Sequence, residues 1–188
     1  WDDAITKEAE SPVAAWYHAQ LGAERLAYLR DLPNSYDFRL SGKHIRLYHA
    51  SAQSEHYRVH PNSGEAKLQA MFDNTPFTGL DQPLPDLAGY GDIHAAYLLP
   101  VDIGETSKIL FNVGSVGNPL DFTLATYVIL TGVIDSAAPA PLSVDFVRLP
   151  YDIEAAIEQA RQSQLPDLEP YSFELRTGIY RHARKQST

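Results

Sequence analysis

Asn112-Val113-Gly114-Ser115-Val116-Gly117-Asn118-Pro119 is the stretch on which the reading of this 188-residue chain turns. It continues the apolar run Lys108 to Val113, and its two glycines with Pro119 behind them predict a strand that ends in a tight turn, with Gly114 or Gly117 at positive φ. Asn112 and Ser115 either shape that turn through local hydrogen bonds or lie beside a bound substrate. Two further segments place potential ligands at the ends of apolar runs, Tyr48-His49-Ala50-Ser51 and Tyr90-Gly91-Asp92-Ile93-His94. In an open α/β architecture such loops are where ligands and metals collect, because the strands fix the backbone while the side chains stay free to converge. His49, Asp92 and His94 are therefore expected to meet. Asp92 and His94 are two positions apart, which on an extended strand puts both on one face, each able to reach one metal of a pair. Plainer roles stand beside these: a hydrogen-bonded core histidine for His49, a turn or N-cap aspartate for Asp92, an exposed strand residue for His94.

Outward from these segments the chain reads as alternating helices and short strands. Ser11 to Leu32 carries Val13, Trp16, Tyr17, Leu21, Leu26 and Leu29 at helical steps behind a Ser-Pro start, either one helix with a weak point at Gly22 or two short helices joined there. His44 to His49 is a strand with Ile45, Leu47 and His49 on one face and His44, Arg46 and Tyr48 on the other. Residues 50–86 form a long irregular insert near the site, with a short helix around Gly64 to Phe72, and a long insert in a compact domain is more often functional than idle. Its His56 and His60 imitate a helical metal pair, but in an irregular segment a solvated or substrate-facing loop is the better reading. Further strands are expected at Leu87 to Tyr90, Ala95 to Leu99, Lys108 to Val113, Ala125 to Thr131 and Ser143 to Leu149. Asp152 caps an amphipathic helix that runs to Gln164, and a basic tail, 178–188, is expected to fray.

Composition narrows the chemistry. With 44% hydrophobic and 11% aromatic residues the chain can bury a real core as a single domain, 1–188. No apolar run approaches the length of a membrane span and no leader pattern opens the chain, so it reads as soluble and cytoplasmic, without a membrane partner. The absence of cysteine removes thiolate metal sites, disulfides and cysteine nucleophiles. A net charge of −9, from 15 basic against 24 acidic residues, is the wrong sign for an extended nucleic-acid surface. The acidic opening of Asp2, Asp3, Glu8 and Glu10 reads as a solvated face.

Five segments in order resemble the calcineurin-like metallophosphoesterases, in their small prokaryotic phosphodiesterase branch. Leu29-Arg30-Asp31-Leu32-Pro33 is similar to the family's L-R-x-L-P segment, and Ile45 to Ser51 to the strand ending in its metal-binding His-Gly or His-Ala step. Gly91 to His94 falls where the family has G-H-x-H, Asn112 to Pro119 resembles its N-x-G-S-V-G-x-P turn, and Arg148-Leu149-Pro150-Tyr151-Asp152 its R-x-x-Y-D entry into the last helix. The resemblance implies an α/β fold, a four-layer αββα sandwich of two mixed sheets. It also implies a metal-dependent hydrolase acting on a small phosphomonoester or phosphodiester through a hydroxide activated by two divalent ions, Mn²⁺ first, with Mg²⁺, Fe²⁺ or Zn²⁺ as alternatives. His49 would hold one metal and His94 the other, with Asp92 standing where the family has a histidine; a carboxylate there favours harder cations. The family's D-x-H, G-D and G-N-x-D motifs precede the helix that opens this chain. With Trp1 first and Met71 the only methionine, the chain reads as the C-terminal two-thirds of such a domain, lacking its N-terminal part. The rival reading is a member of the fold that has lost its full metal set and binds a nucleotide or partner, or an inactive fragment.

Overall fold

The computed structural model describes residues 11–183; Asp2, Asp3, Glu8 and Glu10, and Arg184 and Lys185 of the tail, lie outside them. Helix α1 spans Pro12–Arg30, with the Ser11 hydroxyl accepting from the Ala14 amide at 3.1 Å. Gly22, at φ 72° and ψ 169°, kinks it where the sequence is weakest. Two strands follow, β1 (Ser35–Leu40) and β2 (Lys43–Tyr48), joined through Ser41 and Gly42, both at positive φ as a two-residue hairpin turn demands. β1 is absent from the sequence reading. Strand β3 is Leu87–Tyr90, β4 Tyr97–Ile103 and β5 Thr106–Asn112; the last two are displaced from the expected Ala95 to Leu99 and Lys108 to Val113. β6 (Ala125–Thr131) and β7 (Ser143–Leu149) match expectation in full.

The five-stranded sheet has the order β1-β2-β3-β5-β4, with β2, β3 and β5 parallel and the outer strands antiparallel to their neighbours. Because β2, β3 and β5 run the same way, His49, Gly91 and Val113, the residues just past their ends, emerge at one edge of the sheet. β6 and β7 make a second, antiparallel sheet of two strands. The expected α/β class holds, a mixed sheet with a small sheet packed on it and helices, although the described part of the second sheet is antiparallel and not mixed. Val128, Leu130, Val144 and Phe146 of the small sheet pack on Ile45, Leu87 and Phe111 of the large one. Gly89 allows this: a Cβ there would meet the Phe111 ring at 2.4 Å and Leu47 at 2.7 Å.

The opposite face of the large sheet carries the insert, residues 50–86, with α2 (Glu65–Gln69) and a 3-10 turn (Ala70–Phe72). Val59, Met71 and Phe72 bury against Tyr48, Ala88, Tyr90 and Leu110. Polar clasps hold its backbone. Tyr48 donates to the Met71 carbonyl at 2.8 Å and Tyr90 to the Val59 carbonyl at 2.6 Å. Burial pushes the Tyr90 phenol up to about 12, so it stays a neutral donor at physiological pH. Arg46, fully buried, binds Asp37, the Asp73 carbonyl, Asn74 and the Pro83 carbonyl. A loop so tied is a built part of the molecule.

Two helices complete the chain. α3 (Ile153–Gln162) starts where Asp152 accepts from the Ala155 amide at 2.9 Å. α4 (Leu168–Thr177), the second element missing from the sequence reading, accommodates Pro170 in its first turn, where the missing N–H leaves no bond unmade, and ends at Gly178 in the left-handed region. The chain beyond does not fray at once. Arg181 folds back and donates to Glu174 from both Nε and an Nη atom and to Asp167 at 2.9 Å, which corrects the expectation for residues 178–183. No helix among the described residues is long and apolar enough to cross a membrane.

Candidate active-site cleft

The ends of β2 and β3 are locked together. The His49 carbonyl accepts from the amides of both Gly91 and Asp92, each at 3.0 Å, so the loops after two neighbouring strands share one backbone node. Beyond Tyr90 the chain turns, and does not run extended as expected: the His94 amide donates to the Gly91 carbonyl at 3.0 Å and His94 itself has φ 57°. Asp92 and His94 therefore do not share a strand face. His49, Asp92 and His94 nevertheless all line one cleft of about 1180 Å³.

Within it each side chain has a distinct setting. His49 is exposed, with Nε2 at 3.8 Å from Asp92 Oδ1. Asp92 is buried, and Arg58 from the insert grips both its oxygens, at 2.6 and 3.0 Å. The Asp92 hydrogen bonds, together with its charge, hold the Arg58 guanidinium even more firmly protonated than an ordinary arginine. His94 Nδ1 lies 2.8 Å from the Asn118 carbonyl oxygen. A carbonyl can only accept, so the Nδ1 atom carries the hydrogen and Nε2 is the basic atom of the ring.

The Asn112 to Pro119 loop that supplies this carbonyl is organised from beneath. Asn112 is fully buried, and its Oδ1 accepts from the Gly114 amide at 3.0 Å. Of the two roles expected for it, this is the loop-shaping one, while its Nδ2 is buried without a hydrogen-bond partner. Ser115 accepts from the Asn118 amide at 3.0 Å while lining a second cavity next to the cleft. Gly114 has φ 73°, as the spacing predicts, and Gly117 does not. A Cβ on Gly114 would stand 2.9 Å from Thr126 and 3.2 Å from Ala96. Strain and collision add, so Gly114→Ala is expected to cost about 2 kcal/mol in chemical denaturation, against no more than a few tenths for Gly117→Ala, whose site is open. Equal costs for the two would remove Gly114 as the pivot of the loop.

Glu174 anchors the far side of the loop. It is buried, accepts from Asn118 Nδ2 at 3.1 Å, and is clasped by Arg181. Burial alone would raise its carboxyl, but the hydrogen bonds from Arg181 and Asn118 outweigh that and hold it below the usual range. Sequence reasoning names none of the Arg58–Asp92 and Arg181–Glu174 pairings. The first joins residues 34 positions apart and leaves no periodic trace. His60 lines the cleft, whereas His56 stays exposed beside Glu55, so the two do not act as a pair.

No protein-family model and no curated protein matches the chain. Its fold is similar to the crystal structure of a metallophosphoesterase from Sphaerobacter thermophilus, at a TM-score of 0.61 and 22% identity over 90% of this chain and 69% of that one. It is also similar to a hypothetical protein from Pyrococcus horikoshii OT3, at a TM-score of 0.60 and 20% identity over 86% of this chain and 57% of the other. The likeness is one of fold, and the chain spans only part of each neighbour's length.

Proposed function

We propose that the chain works within a metal-dependent phosphoesterase that hydrolyses a small phosphomonoester or phosphodiester, with His49 and His94 as its contribution to a pair of divalent cations, Mn²⁺ foremost. The observation that carries this reading is the 2.8 Å contact of His94 Nδ1 with the Asn118 carbonyl. A carbonyl acceptor on one ring nitrogen, leaving the other basic, is the usual setting of a metal-bound imidazole. A divalent cation, when bound, supplies hydroxide at neutral pH and draws charge from the phosphoryl oxygens. The half-exposed Arg58 guanidinium at the same cleft is suited to hold a phosphoryl oxygen in place.

The donor set fits such a centre in part. Among the described residues no group of three or more His, Asp or Glu side chains could hold a metal ion, and each Asp92 oxygen already accepts one hydrogen bond from Arg58. A complete centre would therefore need further ligands from outside residues 11–183. The same Arg58–Asp92 pair favours a second reading, a catalytically silent member of the fold that binds an anion through a fixed guanidinium.

Turnover of bis(4-nitrophenyl) phosphate with Mn²⁺ separates the two. The phosphoesterase reading expects hydrolysis that EDTA abolishes and that His94→Ala lowers about tenfold or more, with bound metal per chain falling alongside. Full activity in His94→Ala would overturn the assignment of His94, and neither turnover nor retained metal in the wild type would leave the silent binder.

A further inference from the structure

Beside the main cleft lies a second cavity of about 580 Å³ between α1 and the α3–α4 pair, and Tyr17, His94, Asn118 and Arg181 line both. The two spaces differ in chemistry. The main cleft gathers Arg58 with His49, His60 and His182 around carboxylates that already have arginine partners. In a protein of net charge −9 this is a place where arginines balance the carboxylates and imidazoles add hydrogen-bonding groups, a setting that admits an anion. The second cavity brings together Trp16, Tyr17 and Tyr171. Trp16 is held by its indole N–H, which donates to the Ser163 carbonyl at 2.9 Å, and Tyr171 reaches the Gly117 carbonyl at 3.4 Å. Both rings are thus tethered at their polar atoms to the walls of the cavity. Tyr17, half exposed, sets its ring edge-on to Trp16 with centroids 5.0 Å apart.

We infer that the ligand is a phosphate ester carrying a flat heteroaromatic group, a nucleoside monophosphate or its ester, with the phosphate at Arg58 in the main cleft and the base among the rings of the second cavity. The inference rests on the phosphoesterase reading only for its phosphate end. Arg181 has Nε and both terminal nitrogens engaged by Glu174 and Asp167, whereas Arg58 gives Nε and one terminal nitrogen to Asp92 and has its other terminal nitrogen outside that pair, so Arg58 is the cation that meets the phosphate. A base stacked on tethered aromatic rings gains affinity that a sugar phosphate cannot reproduce, and aromatic stacking tolerates any base.

The 188-residue chain carries two tryptophans, Trp1 and Trp16, so in a Trp1→Phe background its indole fluorescence reports Trp16 alone. Titration with AMP, ribose 5-phosphate and inorganic phosphate in EDTA removes any contribution from metal. The expected result is quenching by AMP only and an affinity for AMP about tenfold above that for ribose 5-phosphate. Tyr171→Ala removes this margin without changing the affinity for ribose 5-phosphate, and Tyr171→Phe, which keeps the ring, retains it. Equal affinities for AMP and ribose 5-phosphate, AMP binding without a change at Trp16, or no binding of any of the three would overturn the inference. The margin without any hydrolysis in Mn²⁺ sinks the proposed activity and leaves the inference standing; hydrolysis of the generic diester without the margin does the reverse.

Discussion

Arg46→Ala is expected to destabilise the protein by about 3–5 kcal/mol, the range for removing one partner of a buried ion pair. The side chain is fully buried and its donors serve Asp37 Oδ1 at 2.9 Å, the Asp73 carbonyl at 3.1 Å, Asn74 Oδ1 at 3.0 Å and the Pro83 carbonyl at 3.4 Å. Truncation leaves a nearly buried carboxylate with His44 at 3.0 Å and the Ser35 hydroxyl at 3.4 Å as its remaining partners. It also frees the insert at two points ten residues apart, Asp73 and Pro83. Denaturant unfolding monitored by circular dichroism measures the loss, and hydrogen exchange should place its local part in residues 73–83. Arg46→Ala with Asp37→Asn should recover part of the cost, because the stranded charge goes with its partner. A loss below about 1 kcal/mol, the range of an exposed pair, would mean that the insert is held by its apolar contacts alone.

What was legible in the sequence and what was not divides along the range of the interactions. Gly22, Asp152 and the alternation of His44 to Tyr48 announce themselves within a few residues, because caps, kinks and pleats are local. The turn at Gly114 belongs with them. β1 was legible and went unread: Tyr36, Phe38 and Leu40 alternate with Ser35, Asp37 and Arg39 as a half-buried strand should, and only the pairing of Asp37 with Arg46 and His44 needed the fold to show it. α4 escaped because Pro166 and Pro170 read as breakers, although a proline in the first turn is compatible with a helix. In the cleft, the glycine-bearing loops after β3 and β5 marked where the site lies. The partners of the site carboxylates were invisible, since Arg58 reaches Asp92 across 34 positions and Asn118 reaches Glu174 across 56, while Arg181 reaches Glu174 only because the chain folds back after α4. A motif shows where a side chain is needed. It does not show whether a guanidinium already answers that need.

Glu174→Ala is expected to cost about 3 kcal/mol at neutral pH, the lower end for breaking a buried ion pair because Arg181 keeps some access to water. Glu174 is 1% exposed and receives the Arg181 amide, its Nε and one terminal nitrogen, together with Asn118 Nδ2. Its removal leaves Arg181 with Asp167 and releases the loop that positions His94. The dependence on pH follows from the depressed carboxyl. A group whose folded-state pKa lies below its unfolded value gives its full stabilisation above the unfolded value, here an ordinary 4.5, and loses it as pH falls through the folded value. Wild type and Glu174→Gln should therefore differ by a constant amount from pH 7 down to about pH 5 and converge only below 4.5. A gap that closes between pH 7 and 6 would point to a histidine in the cleft and away from this carboxylate. Because Asn118 links Glu174 to His94, the Gln variant should also weaken the hold on His94, and its hydrolytic activity, where the wild type has any, should fall more than its stability alone explains. If activity follows the folded fraction alone, Glu174 acts on the helix and tail it ties together and not on the cleft.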